Sequence, residues 1–306
     1  MVSTFRVLCL RFYRLEGVGL LKRKEIMKKL LVPTDFSPHA DAALDLAIRL
    51  AKKVEAEILI IHVVLTPVNW AKLSKEQEKL FPDTLDVIRK AKIELKTRKD
   101  KVGALGLDVR EQIHFSDGKE RIINYLALEK IDMVIMGSHG RYGFKSHVLG
   151  SNTYTVLRKS DIPVIVVKPD KGDYNFKKVV LATDFREDSG KAFQLLGDTI
   201  RLIGGEPELL FVNTPANFME EEQIRSLGAK FLEKYSFYTH KVHIYGAYNV
   251  ERGIIQYAKA ANADAVAVVT HGKTDLQQLF SPSVTENLVT YLDKPVISLN
   301  VTAKDH

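Results

Sequence analysis

The feature that most constrains this chain is that it contains itself twice. Lys28-Lys29-Leu30-Leu31-Val32-Pro33-Thr34-Asp35-Phe36 returns as Lys177-Lys178-Val179-Val180-Leu181-Ala182-Thr183-Asp184-Phe185, an offset of 149 residues. Ile122-Ile123-Asn124-Tyr125 matches Ile254-Ile255-Gln256-Tyr257, and His139-Gly140 matches His271-Gly272. Asp161-Ile162-Pro163-Val164-Ile165 matches Asp293-Lys294-Pro295-Val296-Ile297, and these three matches share an offset of 132. The offset falls because the first copy has a longer middle, chiefly around residues 66–110. Self-similarity on this scale implies two copies of one domain, 27–170 and 174–303, joined at Pro169-Asp170-Lys171-Gly172-Asp173. The length of 306 residues suits two domains.

Within the first copy, strands alternate with helices. Leu30 to Val32 is a short apolar strand, after which Ser37 offers an N-cap and Pro38 a first helical residue. Ala40, Ala43, Leu44, Ala47, Leu50, Ala51 and Val54 then recur at helical spacing. Ile58 to Val64 is an apolar run rich in β-branched residues, the mark of a strand buried on both faces. A charged helix is predicted over 75–101, a strand over 109–114 and a helix over 119–130. A strand over 133–136, a helix over 151–159 and a last strand over 164–167 complete the copy. This alternation predicts an α/β fold, two tandem doubly wound parallel sheets, with ligands at the carboxyl ends of the strands.

The chemistry gathers at one loop. After the strand ending at Met136 come Gly137-Ser138-His139-Gly140, nine further residues, then Gly150-Ser151 opening the next helix. Glycines permit φ > 0 and close approach of backbone N–H groups to an anion, and a helix N-terminus adds unsatisfied donors with a partial positive charge. Gly-x-x-Gly, nine residues, then Gly-Ser between a strand and a helix start is the pattern of a phosphate cradle.

At these residues the chain resembles the universal stress protein family in a tandem two-domain form, over residues 27–303. The loop at Gly137, Gly140, Gly150 and Ser151 is similar to that of the family's ATP-binding branch, and Pro33-Thr34-Asp35 followed by Ser37 to its opening strand. The resemblance implies a Rossmann-like, adenine nucleotide alpha hydrolase-like fold. It implies adenine and ribose held at the first and second strands, by Pro33, Thr34, Asp35 and His62 or Val63. It implies phosphates held by Met136, Gly137, Ser138, His139, Gly140, Arg141, Gly150, Ser151, Asn152 and Thr153. Asn152 departs from this branch, which carries a small apolar residue there. The implied cofactor is ATP, with or without Mg²⁺. The last strands of two such domains pair in the family, which here would join Val164–Val167 to Val296–Leu299 as an intramolecular pseudo-two-fold pair.

The second copy keeps Asp184, His271, Gly272 and Ser283 but has Val269 in place of Gly137 and Pro282 in place of Gly150. Valine resists positive φ, and proline has no N–H to donate. The first copy is therefore expected to bind nucleotide and the second weakly or not at all.

Charge argues against nucleic acid. Residues 1–26 hold six basic and two acidic residues, a net +4 of the total +7, which leaves +3 for the other 280. That balance predicts no strong field toward a phosphate backbone. Residues 1–26 read as a basic tail, disordered or an over-extended start, with Met27 as the expected first residue of the folded chain. Arginines interrupt its apolar pieces, so it is neither a signal peptide nor a membrane span. The single cysteine, Cys9, excludes an intramolecular disulfide and suits a reducing, cytoplasmic setting.

Simpler readings stand beside the sharper ones. Asp35 and Asp184 can cap the helices that follow them. His139 without a nucleophile relay in sequence reads as a loop hydrogen-bonder. His240 and His243 lack the third ligand of a metal site. The basic run Arg89, Lys90, Lys92, Lys96, Arg98, Lys99, Lys101 lacks interleaved aromatics and reads as a solvated helix face. Trp70 reads as loop packing. The family resemblance implies an ATP-binding regulatory module with a protein partner, and with no Lys-bearing Walker loop in the sequence at most slow hydrolysis or self-phosphorylation is expected. The rival classes are an ATP-dependent enzyme using the same cradle and a nucleotide-free scaffold. Further homodimerisation is left open.

Overall fold

The computed structural model describes residues 27–118, 122–139, 149–169, 174–236, 238, 240–271 and 284–301. The first half runs β1 (Lys29–Pro33), α1 (Pro38–Val54), β2 (Glu57–Leu65), α2 (Lys75–Glu78), α3 (Pro82–Gly103), β3 (Val109–Ser116), α4 (Ile123–Leu128), β4 (Met133–Gly137), α5 (Ser151–Lys159) and β5 (Val164–Val167). The second runs β6 (Lys178–Ala182), α6 (Gly190–Leu202), β7 (Glu206–Asn213), α7 (Glu221–Tyr235), β8 (Val242–Gly246), α8 (Val250–Ala260), β9 (Ala265–His271), α9 (Val284–Tyr291) and β10 (Val296–Val301).

The local signals act as read. Ser37 caps α1, its Oγ accepting from the Ala40 N–H, with Pro38 at the first helical position. The predicted 75–101 helix is two helices. Ser74 closes a capping box with Gln77 around α2. Pro82, which has no N–H to continue a helix, starts α3 afresh. The predicted 119–130 helix is observed as α4, with residues 119–121 outside the described ones.

All ten strands form one sheet in the order β3-β2-β1-β4-β5-β10-β9-β6-β7-β8. Every neighbouring pair is parallel except β5 with β10, which is antiparallel with Ile165 opposite Ile297. The seam between the halves is therefore a strand pair in the middle of a continuous sheet. Side chains alternate across it. Leu30 and Val32 join Leu46, Leu50, Leu95, Phe193, Ile200 and Phe231 on the face covered by α1, α3, α6 and α7. Leu31 joins Tyr125, Leu126, Val156, Ile254 and Leu288 on the face covered by α4, α5, α8 and α9. Both clusters run through both halves, and each fully buried aliphatic chain contributes about 1.5–3 kcal/mol relative to exposure.

Two remnants of the sequence reading take structural roles. Trp70 is buried beside Val64, Ile88 and Ala91, with its ring near Phe81 and Phe115. Arg98, one of the basic run, is not a solvated charge: its side chain is 12% exposed and grips Asp41 at 2.7 Å and Glu94 at 2.6 Å. Its guanidinium lies 4.9 Å from the ring centre of Phe36.

Candidate functional site

The strand order reverses direction of growth at β1, between β2 and β4, and that is where the carboxyl ends open a crevice. The chain leaves β1 through a tight turn. Phe36 adopts φ 65°, and its counterpart Phe185 adopts φ 56°. Left-handed backbone is strained for an aromatic residue and survives only where its surroundings hold it. The Thr34 hydroxyl accepts from the Phe36 N–H at 3.0 Å, and Asp35 Oδ1 accepts from the Ser37 N–H at 3.1 Å. Thr183 and Asp184 repeat both bonds in the second half. Asp35 and Asp184 thus brace the turn before the helix. His62 Nδ1 donates to the Thr34 carbonyl at 2.7 Å, which fixes its tautomer, and its ring packs 4.3 Å from that of Phe36. Pro33 ends β1, and Val63 lies half-buried in β2.

On the other side of the crevice, Met136 is buried in β4 and Gly137 ends the strand. The reason for glycine here is not the one the sequence suggested. Neither Gly137 nor Gly150 takes a positive φ; Gly150 sits at φ −60°. A Cβ on Gly137 would instead lie 2.7 Å from the backbone of His39, in the first turn of α1. Beyond it, Ser138 is fully buried, and its Oγ lies 2.9 Å from His139 Nδ1 and 3.3 Å from His39 Nδ1. A hydroxyl carries one proton and two lone pairs, so at most one ring accepts from Ser138 and at least one donates to it. Burial first, then Lys168, pulls His139 below its ordinary pKa, and its buried Nε2 has no hydrogen-bond partner among the described residues. Burial also lowers His39, followed by the charge of His139, against an opposing pull from Asp35. Lys168, just past β5, is likewise lowered by burial, with Asp293 opposing.

The loop returns to α5, whose N-cap is Gly150. The Gly150 N–H donates to the Ser138 carbonyl at 3.1 Å, and Thr153 Oγ1 donates to the Gly137 carbonyl at 2.9 Å. Gly150 has no side chain to satisfy the first-turn amides, and Ser151 and Asn152 are exposed. Gly140 and Arg141 lie outside the described residues. His39 and Lys168 escaped the sequence reading; the first turn of α1 and the residue after β5 lie at the same sheet end as the glycine loop, which is the signal that would have found them.

The second half departs from this geometry at the equivalent point. β4 stops at Gly137, paired with Val167, but β9 continues past Val269 through Thr270 and His271, paired with Asn300 and Val301. Where α1 begins in the first half, the second half has a 3-10 turn, Glu187–Ser189, and α6 starts only at Gly190. Thr285, the counterpart of Thr153, has a buried hydroxyl without a partner among the described residues. Gly272, Pro282 and Ser283 lie outside the described residues.

The two histidines weighed as a metal pair, His240 and His243, sit apart from the crevice. His243 Nε2 lies 3.8 Å from Glu208, and His240 Nε2 lies 2.9 Å from Ser236 Oγ. Burial first, then the charge of Arg201, pushes His240 down from 6.5 to about 4. The folded state therefore binds fewer protons than the unfolded chain between those values. Its contribution is complete above about pH 6.5 and is lost as pH falls through that window. His240→Gln is expected to flatten the fall of the urea midpoint between pH 7 and 4, and a variant curve parallel to the wild type would refute this assignment.

Comparison with known proteins bears on the family and the fold. A sequence model described as the universal stress protein family matches residues 27–168 and again 175–299. A universal stress protein of Methanocaldococcus jannaschii is 32% identical over 154 residues, 46% of this chain and 94% of that protein. One from Synechocystis is 24% identical over 292 residues, 89% of this chain and 99% of that protein. Among solved structures, a universal stress protein from Archaeoglobus fulgidus superposes with a TM-score of 0.68 at 21% identity, over 90% of this chain and 97% of that one.

Proposed function

The chain belongs to the universal stress protein family, and from that premise we propose that its first half binds one adenine nucleotide while its second half serves as a built-in partner. The ligand is ATP, with or without Mg²⁺. Adenine and ribose lie against Pro33, Thr34, Asp35 and His62 or Val63. The phosphates lie against the loop from Gly137 to Arg141 and the first turn of α5. The functional units are 27–170 and 174–303, preceded by the 1–26 tail, in a cytoplasmic regulatory protein that acts through a further protein.

The observation that carries this reading is the α5 N-terminus. Its N-cap is a glycine, and hydrogen bonds to the Ser138 and Gly137 carbonyls pin it at the reversal point of the sheet. First-turn amides so held form a donor set for phosphate oxygens, with the positive end of the helix dipole behind them. Ser138 is fully buried, so its histidine contacts anchor the loop rather than present a nucleophile, which favours binding over turnover. In the second half β9 pairs two residues further, through Thr270 and His271, so the strand does not end where β4 ends.

The test is to denature freshly purified protein and identify released nucleotide by mass spectrometry, alongside Gly150→Pro. Proline fits φ −60° but removes the N–H that donates to Ser138. About one adenine nucleotide per wild-type chain and none in the variant is expected. Two per chain overturns the assignment of the second half; none, even on adding ATP and Mg²⁺, overturns the binding function.

A further inference from the structure

The two halves cap each other's helices across the seam. Asn300, at the end of β10 in the second half, donates from Nδ2 to the carbonyls of Leu157 at 2.8 Å and Ser160 at 3.0 Å, the C-terminal end of α5. Its Oδ1 accepts from Thr270 Oγ1 at 2.5 Å, which fixes the orientation of the amide. Its counterpart in the repeat is Lys168, whose Nζ donates at 2.9 Å to the Thr290 carbonyl near the end of α9. A second strut joins the helices directly: Arg158 Nε of α5 meets Glu286 Oε1 of α9 at 2.6 Å, both nearly buried.

We infer that Asn300 is a positioning residue for the phosphate end of the nucleotide site, acting from the other half of the molecule through α5; this rests on the nucleotide reading of the first half. The nine residues of α5 are too few for a helix to hold itself together. Its first turn is tied within its own half, by Gly150 to Ser138 and Thr153 to Gly137. Its last carbonyls have no partners within the helix, and two of them depend on Asn300. A helix of about 13 Å fixed at both ends presents its N-terminal amides in one direction. Released at one end it samples several, and the ordering must then be supplied at binding.

Asn300→Val keeps strand propensity and removes the donors. ATP affinity is expected to fall about tenfold, with adenosine affinity within twofold of wild type, because only the phosphates reach α5. Without ligand, amide hydrogen exchange at Tyr154 to Leu157 is expected to accelerate at least tenfold relative to β1. Ile224→Ala, in a buried position of α7 away from the seam, controls for lost stability and is expected to leave ATP affinity unchanged. If Asn300→Val does not fold, Asn300→Asp keeps the shape and the acceptor toward Thr270 but cannot donate to the α5 carbonyls. It is read by the same two measurements. Equal weakening of ATP and adenosine, unchanged ATP affinity, or unchanged exchange in α5 overturns the inference. Wild-type protein that binds neither ligand overturns the nucleotide reading and this role with it, whereas binding indifferent to Asn300 overturns this role alone.

Discussion

Gly137→Ala is expected to destabilise the protein by about 3 kcal/mol, the upper part of the range for an overpacked site. The added methyl would meet the carbonyl carbon, carbonyl oxygen and Cβ of His39, all at 2.7 Å. These are backbone or near-backbone atoms of a helix start that Ser37 and Pro38 hold in place, so no side chain can swing aside. Either α1 or the end of β4 must shift, and the Thr153 and Ser138 contacts shift with it. At roughly 2–4 °C per kcal/mol for a protein of this class, thermal unfolding should begin about 6–12 °C lower. A variant as stable as wild type would mean that α1 does not press on β4. The second half carries Val269 at the same place, and there the 3-10 segment Glu187–Ser189 stands where α1 begins in the first half.

Glu286→Ala is expected to cost roughly 3–5 kcal/mol for a different reason. Arg158 is 13% exposed and lies over the Tyr154 ring at 4.2 Å. Removing the carboxylate takes away the ion pair that offsets the burial of the guanidinium. Replacing both residues, as Arg158→Met with Glu286→Leu, should recover most of the loss, since an apolar pair of similar volume often matches a buried ion pair. Denaturant titration of the two single variants and the double variant checks this. Additive losses would show that the two side chains do not act as a pair.

The plan of the molecule was legible in its sequence because the code for it is local. The apolar run at 58–64 could only be a buried strand, and the bounds of α5 and β5 fall where the periodicity put them. The seam followed from the repeat together with the family resemblance. What could not be read depends on distant parts of the chain meeting. Ser138 and His39 are 99 residues apart, and Asn300 reaches back 143 to Leu157. Gly137 shows the limit most clearly: the spacing marked the right residue, but the obstacle that makes it glycine is a helix about one hundred positions earlier. The break between α2 and α3 was missed because the charged pattern runs across Pro82 without changing period.

Joining β5 to β10 within one chain has a consequence for how such a molecule changes over generations. In a pair of identical subunits every substitution appears twice, so a pocket cannot be lost from one member and kept in the other. Tethering raises the effective concentration of one half beside the other to the order of millimolar, so docking survives even when one copy drifts. The first copy is thereby free to keep a break after Gly137, while the second extends β9 into further ladder bonds with β10. Duplication followed by fusion frees the two halves of a once symmetric dimer to diverge in structure.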